Sequence, residues 1–110
     1  MQAPLEITFR GIDPSPSVEA IATAWGARLD HLCDRIQRCH VWIELPHRHH
    51  RHGAAFQVKI DLTIPGAEIV VTQAGDDDVY AVLDDAFVAV RRQLHDRLRI
   101  RRGDVKHHAA

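Results

Sequence analysis

Hydrophobic and polar positions along this chain follow two rhythms, one with a period of two and one alternating between three and four. In LEITFR (5–10), Leu5, Ile7 and Phe9 alternate with Glu6, Thr8 and Arg10, the signature of a half-buried strand. GIDPSP (11–16) interrupts it, with Ser15 suited to cap a helix and Pro16 to open one. Val18, Ile21, Ala22, Trp25, Leu29, Leu32, Cys33 and Ile36 then recur at helical spacing. This predicts an amphipathic helix to about Arg35, weakened by about 1 kcal/mol at Gly26 relative to Ala.

CHVWIEL (39–45) returns to alternation, with Val41, Ile43 and Leu45 on one side, His40, Trp42 and Glu44 on the other, and Pro46 ending it. AFQVKIDLTI (55–64) is the clearest strand: Phe56, Val58, Ile60, Leu62 and Ile64 face in, while Gln57, Lys59, Asp61 and Thr63 face out. A PG turn (65–66) leads to a further strand, EIVVTQ (68–73). AGDDD (74–78) breaks the pattern, and Asp78 caps a second helix from Val79 to about Arg101 with the stripe Leu83, Phe87, Val90, Leu94 and Leu98.

The order β-α-β-β-β-α implies an α+β fold. Successive strands with short connections make an antiparallel meander with one apolar face, and each helix has one apolar stripe to bury. The economical packing is a two-layer sandwich, a four-stranded sheet with both helices on one face. Residues 1–102 form one domain in this reading, and 103–110 a short flexible tail with basic and histidine residues. A chain of 110 residues buries roughly two-thirds of its surface on folding and needs no staples. No apolar run approaches the ~20 residues of a membrane span, and MQAPLEITFR lacks a signal-peptide pattern. Cys33 and Cys39 are then reduced thiols of a cytoplasmic protein.

Charge changes the picture. The net charge of −1 conceals a polarised chain. Residues 61–90 hold seven acids (Asp61, Glu68, Asp76, Asp77, Asp78, Asp84, Asp85) and no Lys or Arg. Residues 91–110 hold seven bases (Arg91, Arg92, Arg97, Arg99, Arg101, Arg102, Lys106) against Asp96 and Asp104. On a wheel with Leu83 at zero and about 100° per residue, Arg91, Arg102, His95, Arg99 and Arg92 fall on one flank beside the core stripe. Dipole matching plus a solvated face is one explanation. The other is a phosphate-binding face, favoured by the count and by the use of Arg, whose planar fork suits bidentate phosphate contact.

HRHHRHG (47–53) packs four histidines and two arginines into six residues. Structural zinc wants four converging ligands, usually from two separated pairs, and these histidines are too close together to surround one ion. The alternative is a cationic finger at the tip of a hairpin, bringing Arg48 and Arg51, with a charge set by pH because histidine titrates near ~6.5. His31, Cys33, Cys39 and His40 make a second metal candidate, but Cys39 and His40 point to opposite faces of a strand. DDD (76–78) suits Mg²⁺ or, more simply, a helix cap. No nucleophile–base pair, nucleotide loop or paired carboxylates stand at a catalytic spacing, so no enzyme is expected.

Several segments together resemble the ribosome hibernation-promoting factor and ribosome-associated inhibitor family: EITFRGIDPSPSVEAI, ARLDHLCDRI, DDVYAVLDDAF and RRQL (91–94). The likeness covers nearly the whole chain in the same element order, and a chain ending at Ala110 looks like the short form, without the additional C-terminal dimerisation domain. It implies a cytoplasmic, non-enzymatic factor without cofactor, metal or small-molecule substrate. Such a factor docks on the small subunit (16S rRNA) and the 70S ribosome, in the decoding-region channel used by mRNA and tRNA. Arg28 and Arg92 match basic family positions. Trp25 stands where the family has a lysine, and Ala89, Asp96 and Leu98 replace others. The RNA-binding set is therefore Arg28, Arg91, Arg92, His95, Arg99, Arg102, Arg48 and Arg51. The alternatives are a module for another structured RNA, like double-stranded-RNA-binding domains, or a histidine-cluster metal-binding protein.

Overall fold

The computed structural model describes residues 1–46 and 55–102, apart from the side chains of Asp76, Arg101 and Arg102. The elements are β1 (Glu6–Arg10), α1 (Pro16–Leu32), β2 (Arg38–Glu44), β3 (Phe56–Ile64), β4 (Ala67–Asp76) and α2 (Val79–Arg102). The strands form one sheet in the order β1-β2-β3-β4. The expected α+β architecture is present, with β2, β3 and β4 antiparallel in sequence. β1 pairs with β2 in parallel, because α1 carries the chain back along the sheet before β2 begins.

Register explains the layering. Val41 lies opposite Ile60 and Cys39 opposite Leu62, while Val71 and Ile69 face the same two β3 residues from the other side. All six are buried, in one cluster with Val18, Ala22, Trp25 and Leu29 of α1 and Val82, Leu83, Ala86, Phe87, Val90 and Leu94 of α2. Both helices therefore cover the same sheet face. Each fully buried Leu, Ile or Phe contributes roughly 1.5–3 kcal/mol relative to exposure, and alternation leaves the other face to polar residues.

The caps act as the sequence implies. Ser15 Oγ accepts from the Val18 N–H at 3.3 Å, and Asp78 Oδ1 accepts from the Tyr80 N–H at 3.0 Å. α1 ends earlier than its periodicity suggests. Cys33 is extended and caps the helix through its N–H to the Leu29 carbonyl. Ile36 is buried but lies outside the helix. Its carbonyl and that of Gln37 accept from the N–H groups of Gln2 and Ala3 at 2.9 and 3.1 Å, and the Gln37 N–H reaches the Thr63 carbonyl at 2.8 Å. These strand-like bonds take the backbone away from the helix. β4 also outruns its predicted end at Gln73. Gln57 pairs with Ala74 and Phe56 with Asp76, so Gly75, at φ 101°, is the extra residue of a bulge.

Two substitutions separate backbone strain from helix propensity. Gly11 has φ +77°, and a Cβ there would lie 2.7 Å from the Leu45 carbonyl oxygen. Gly11→Ala should lower unfolding stability by about 1–3 kcal/mol. At Gly26 a Cβ would meet only side-chain atoms of Leu5 and Met1, between 3.7 and 3.9 Å away. Gly26→Ala should raise stability by up to about 1 kcal/mol. Denaturant midpoints of the two variants moving in the same direction would contradict this account.

Cys39 supplies a pH prediction. Burial, then the charges of Asp61 and Asp30, push its thiol from 9.0 up to about 12. The fold thus favours the protonated thiol, while the unfolded chain ionises at the ordinary value. The associated stability is fully present below pH 9.0 and is lost as pH rises toward about 12. Denaturation of wild type and Cys39→Val across that window should show a steeper alkaline decline for wild type; identical slopes would refute it.

Candidate nucleic-acid interface

α1 and α2 each follow a strand of the same direction and so run parallel to each other. Their first turns are joined by a hydrogen bond between Ser17 Oγ and Tyr80 Oη at 2.7 Å. Further along, Trp25 of α1 fills the seam. The residue is 5 % exposed, and its indole stacks on Phe87 of α2, with ring centroids 5.4 Å apart and planes 3° from parallel. Trp25 Nε1 donates to Asp84 Oδ1 at 2.9 Å.

Two arginines reach the same ring. The guanidinium carbon of Arg28 lies 4.8 Å from the indole centroid and that of Arg91 lies 5.2 Å from it, both within cation–π range. Three helical positions separate Trp25 from Arg28, so they share a face of α1; Arg91 arrives from the seam-facing flank of α2. The two candidate residues thus converge on one ring although they are far apart in sequence.

Arg92 and His95 are exposed on α2. Among the described residues, no carboxylate lies within ion-pair distance of Arg28, Arg91 or Arg92. Arg99 differs: its Nη2 donates to Asp96 Oδ1 at 3.1 Å, one helical turn away. Helix-dipole effects fade beyond the last turn. Arg91 and Arg92 stand well before the end of α2 at Arg102, so dipole matching does not account for them. Arg102 closes α2, but its side chain lies outside the described set. Arg48 and Arg51, with the 47–53 histidine stretch, also lie outside the described residues, as does the 103–110 tail.

The family model for sigma 54 modulation protein / S30EA ribosomal protein matches residues 5–102. The chain belongs to this family. The match bears out the resemblance noted in the sequence. A ribosomal subunit interface protein from Coxiella burnetii superposes with a TM-score of 0.72 at 20% identity, over 84% of this chain and 94% of that one. The N-terminal domain of Thermus thermophilus Protein Y gives 0.68 at 22% identity, over 84% and 94%. At these identities the likeness establishes the fold. No curated protein matches the sequence.

In this S30EA-family chain the uncovered sheet face is engaged with itself. His40 stacks on Trp42 at 3.7 Å and 7°, Lys59 Nζ sits 5.0 Å from the Trp42 centroid, and His40 Nε2 is 2.7 Å from Thr8 Oγ1. Trp42 is therefore occupied by its neighbours. Cys33 and Cys39 are buried free thiols; Cys39 faces the helices, while His40 faces away from them. Among the described residues no three His, Cys, Asp or Glu side chains converge to hold a metal. Sequence reasoning placed Trp25 in the core but missed its contacts with Asp84, Phe87 and Arg91, which only the helix packing creates.

Proposed function

We propose that this chain is a non-enzymatic, ribosome-associated hibernation or translation-inhibition factor. It docks on the small subunit at the decoding region through the Arg28, Arg91, Arg92 and His95 surface, and requires no cofactor. The observation that carries this reading is three arginines from two helices, with no carboxylate among the described residues in ion-pair distance of any of them, in a family described as ribosomal. The similar fold of a ribosomal subunit interface protein supports the same partner. Among the described residues no helix is long and apolar enough to cross a membrane, and a ribosome partner puts the site of action in the cytoplasm.

The chemistry is consistent with the partner. RNA helices are recognised mainly through phosphate, 2′-hydroxyl and shape, and phosphate contacts fix position without reading bases. Arginine flanks suffice for that task. With a net charge of −1, attraction to a polyanion is local to this surface rather than a property of the whole molecule.

Co-sedimentation with purified small subunits and 70S ribosomes across a salt series tests it. Four or five phosphate contacts give a slope of roughly −3 to −4 in log K against log salt. Arg91→Glu/Arg92→Glu should abolish binding at moderate salt, while Lys59→Glu on the opposite sheet face leaves it intact. Failure of the wild type to sediment even at low salt, or wild-type binding by the double variant, would overturn the reading. Preferential capture of an isolated RNA duplex over small subunits would point instead to another structured RNA.

A further inference from the structure

We propose that Trp25 is a positioning residue that gathers Arg28 and Arg91 into one two-guanidinium clamp for RNA backbone phosphate. The inference rests on the RNA-facing reading above and adds to it the residue that organises the surface. Trp25 itself touches no ligand in this account; it acts through the two arginines.

The geometry carries the proposal. At 4.8 and 5.2 Å from one centroid, the two guanidinium carbons lie no more than about 10 Å apart, comparable to the screening length of exposed charges at about 0.1 M salt. Asp84 is engaged with the ring itself: its Oδ1 accepts from the indole N–H, and it forms no direct ion pair with either arginine. Among the described residues neither guanidinium has a carboxylate within ion-pair distance, so the donors of both remain open to an anion.

Contact with the ring also consumes none of the guanidinium N–H donors. The π face of an indole accepts no conventional N–H···O bond, so the planar guanidinium fork keeps the donors with which phosphate oxygens are met bidentately. The ring is itself fixed, by burial, by the Phe87 stack and by the Asp84 hydrogen bond. Arginines already held against such a ring lose less freedom when they bind. A lysine at position 25 would add one charge; tryptophan instead aligns two from different helices.

The test reads the indole directly. The chain has two tryptophans, so Trp42→Phe leaves Trp25 as the sole fluorescent indole. Titration of this folded protein with a short RNA duplex at low salt should give a saturable change in Trp25 emission. Arg28→Gln/Arg91→Gln in the same background should remove it. In sedimentation with small subunits, Trp25→Leu should weaken binding by about tenfold, as loss of one charge-assisted contact would, and flatten the salt slope, although it removes no charge. Trp25→Phe, which keeps an aromatic face, should recover most of the affinity; thermal melts confirm that each variant is folded. RNA binding with unchanged Trp25 emission would overturn the clamp, as would wild-type affinity in folded Trp25→Leu. An emission response without binding to small subunits leaves the clamp standing and removes the ribosomal reading. Binding to small subunits with silent emission does the reverse, and failure of both overturns both.

Discussion

Two parallel helices can share one sheet face only if the seam between them is filled, and here Trp25 fills it. Its stack on Phe87 joins α1 to the best-buried part of α2, where Leu83, Phe87, Val90 and Leu94 are fully enclosed. Its N–H has the partner that a buried indole needs in Asp84. The relative placement of the helices, and hence of every side chain on their outward flanks, follows from that contact. Stability and surface chemistry meet in one residue: the edge of the apolar cluster is also the floor beneath Arg28 and Arg91.

Local pattern made much of the fold legible. The alternation around Val41, Ile43, Val58, Ile60 and Leu62 gives strand faces directly, and the spacing of Leu83, Phe87, Val90 and Leu94 gives the inner face of α2. Ser15 and Asp78 cap helices because a short side-chain acceptor there satisfies an orphan N–H whatever the tertiary context. What stayed hidden depends on partners distant in sequence. Ile36 fits the helical stripe of α1, yet Gln2, Ala3 and Thr63 draw its neighbourhood into strand-like bonding. AGDDD reads as a break, yet Gly75 allows β4 to continue through a bulge.

The candidate site divides along the same line. The basic flank of α2 was legible from helix angles, because those depend on one element alone. The convergence of Arg28 and Arg91 on Trp25 was not, because it needs both helices packed together. Arg99 shows the converse: the sequence groups it with the flank, while the structure pairs it with Asp96. Such an exposed pair contributes little to stability, but it lowers the net positive charge of that turn. Arg91 and Arg92, by contrast, have no carboxylate within ion-pair distance among the described residues.

The sheet has two outer strands, and each is shaped against unwanted strand addition. β1 is only five residues long, and its open-face charges are tied to β2 by Arg10–Glu44 at 3.3 Å and Arg38–Glu6 at 3.5 Å. β4 is longer, ten residues, but the bulge at Gly75 disrupts its ladder and adds local twist. Short, charged or twisted edges are poor templates for another chain's backbone. The same glycine that lets β4 run on toward α2 thereby leaves the end of that edge irregular, a poorer template for another backbone than the regular ladder before it.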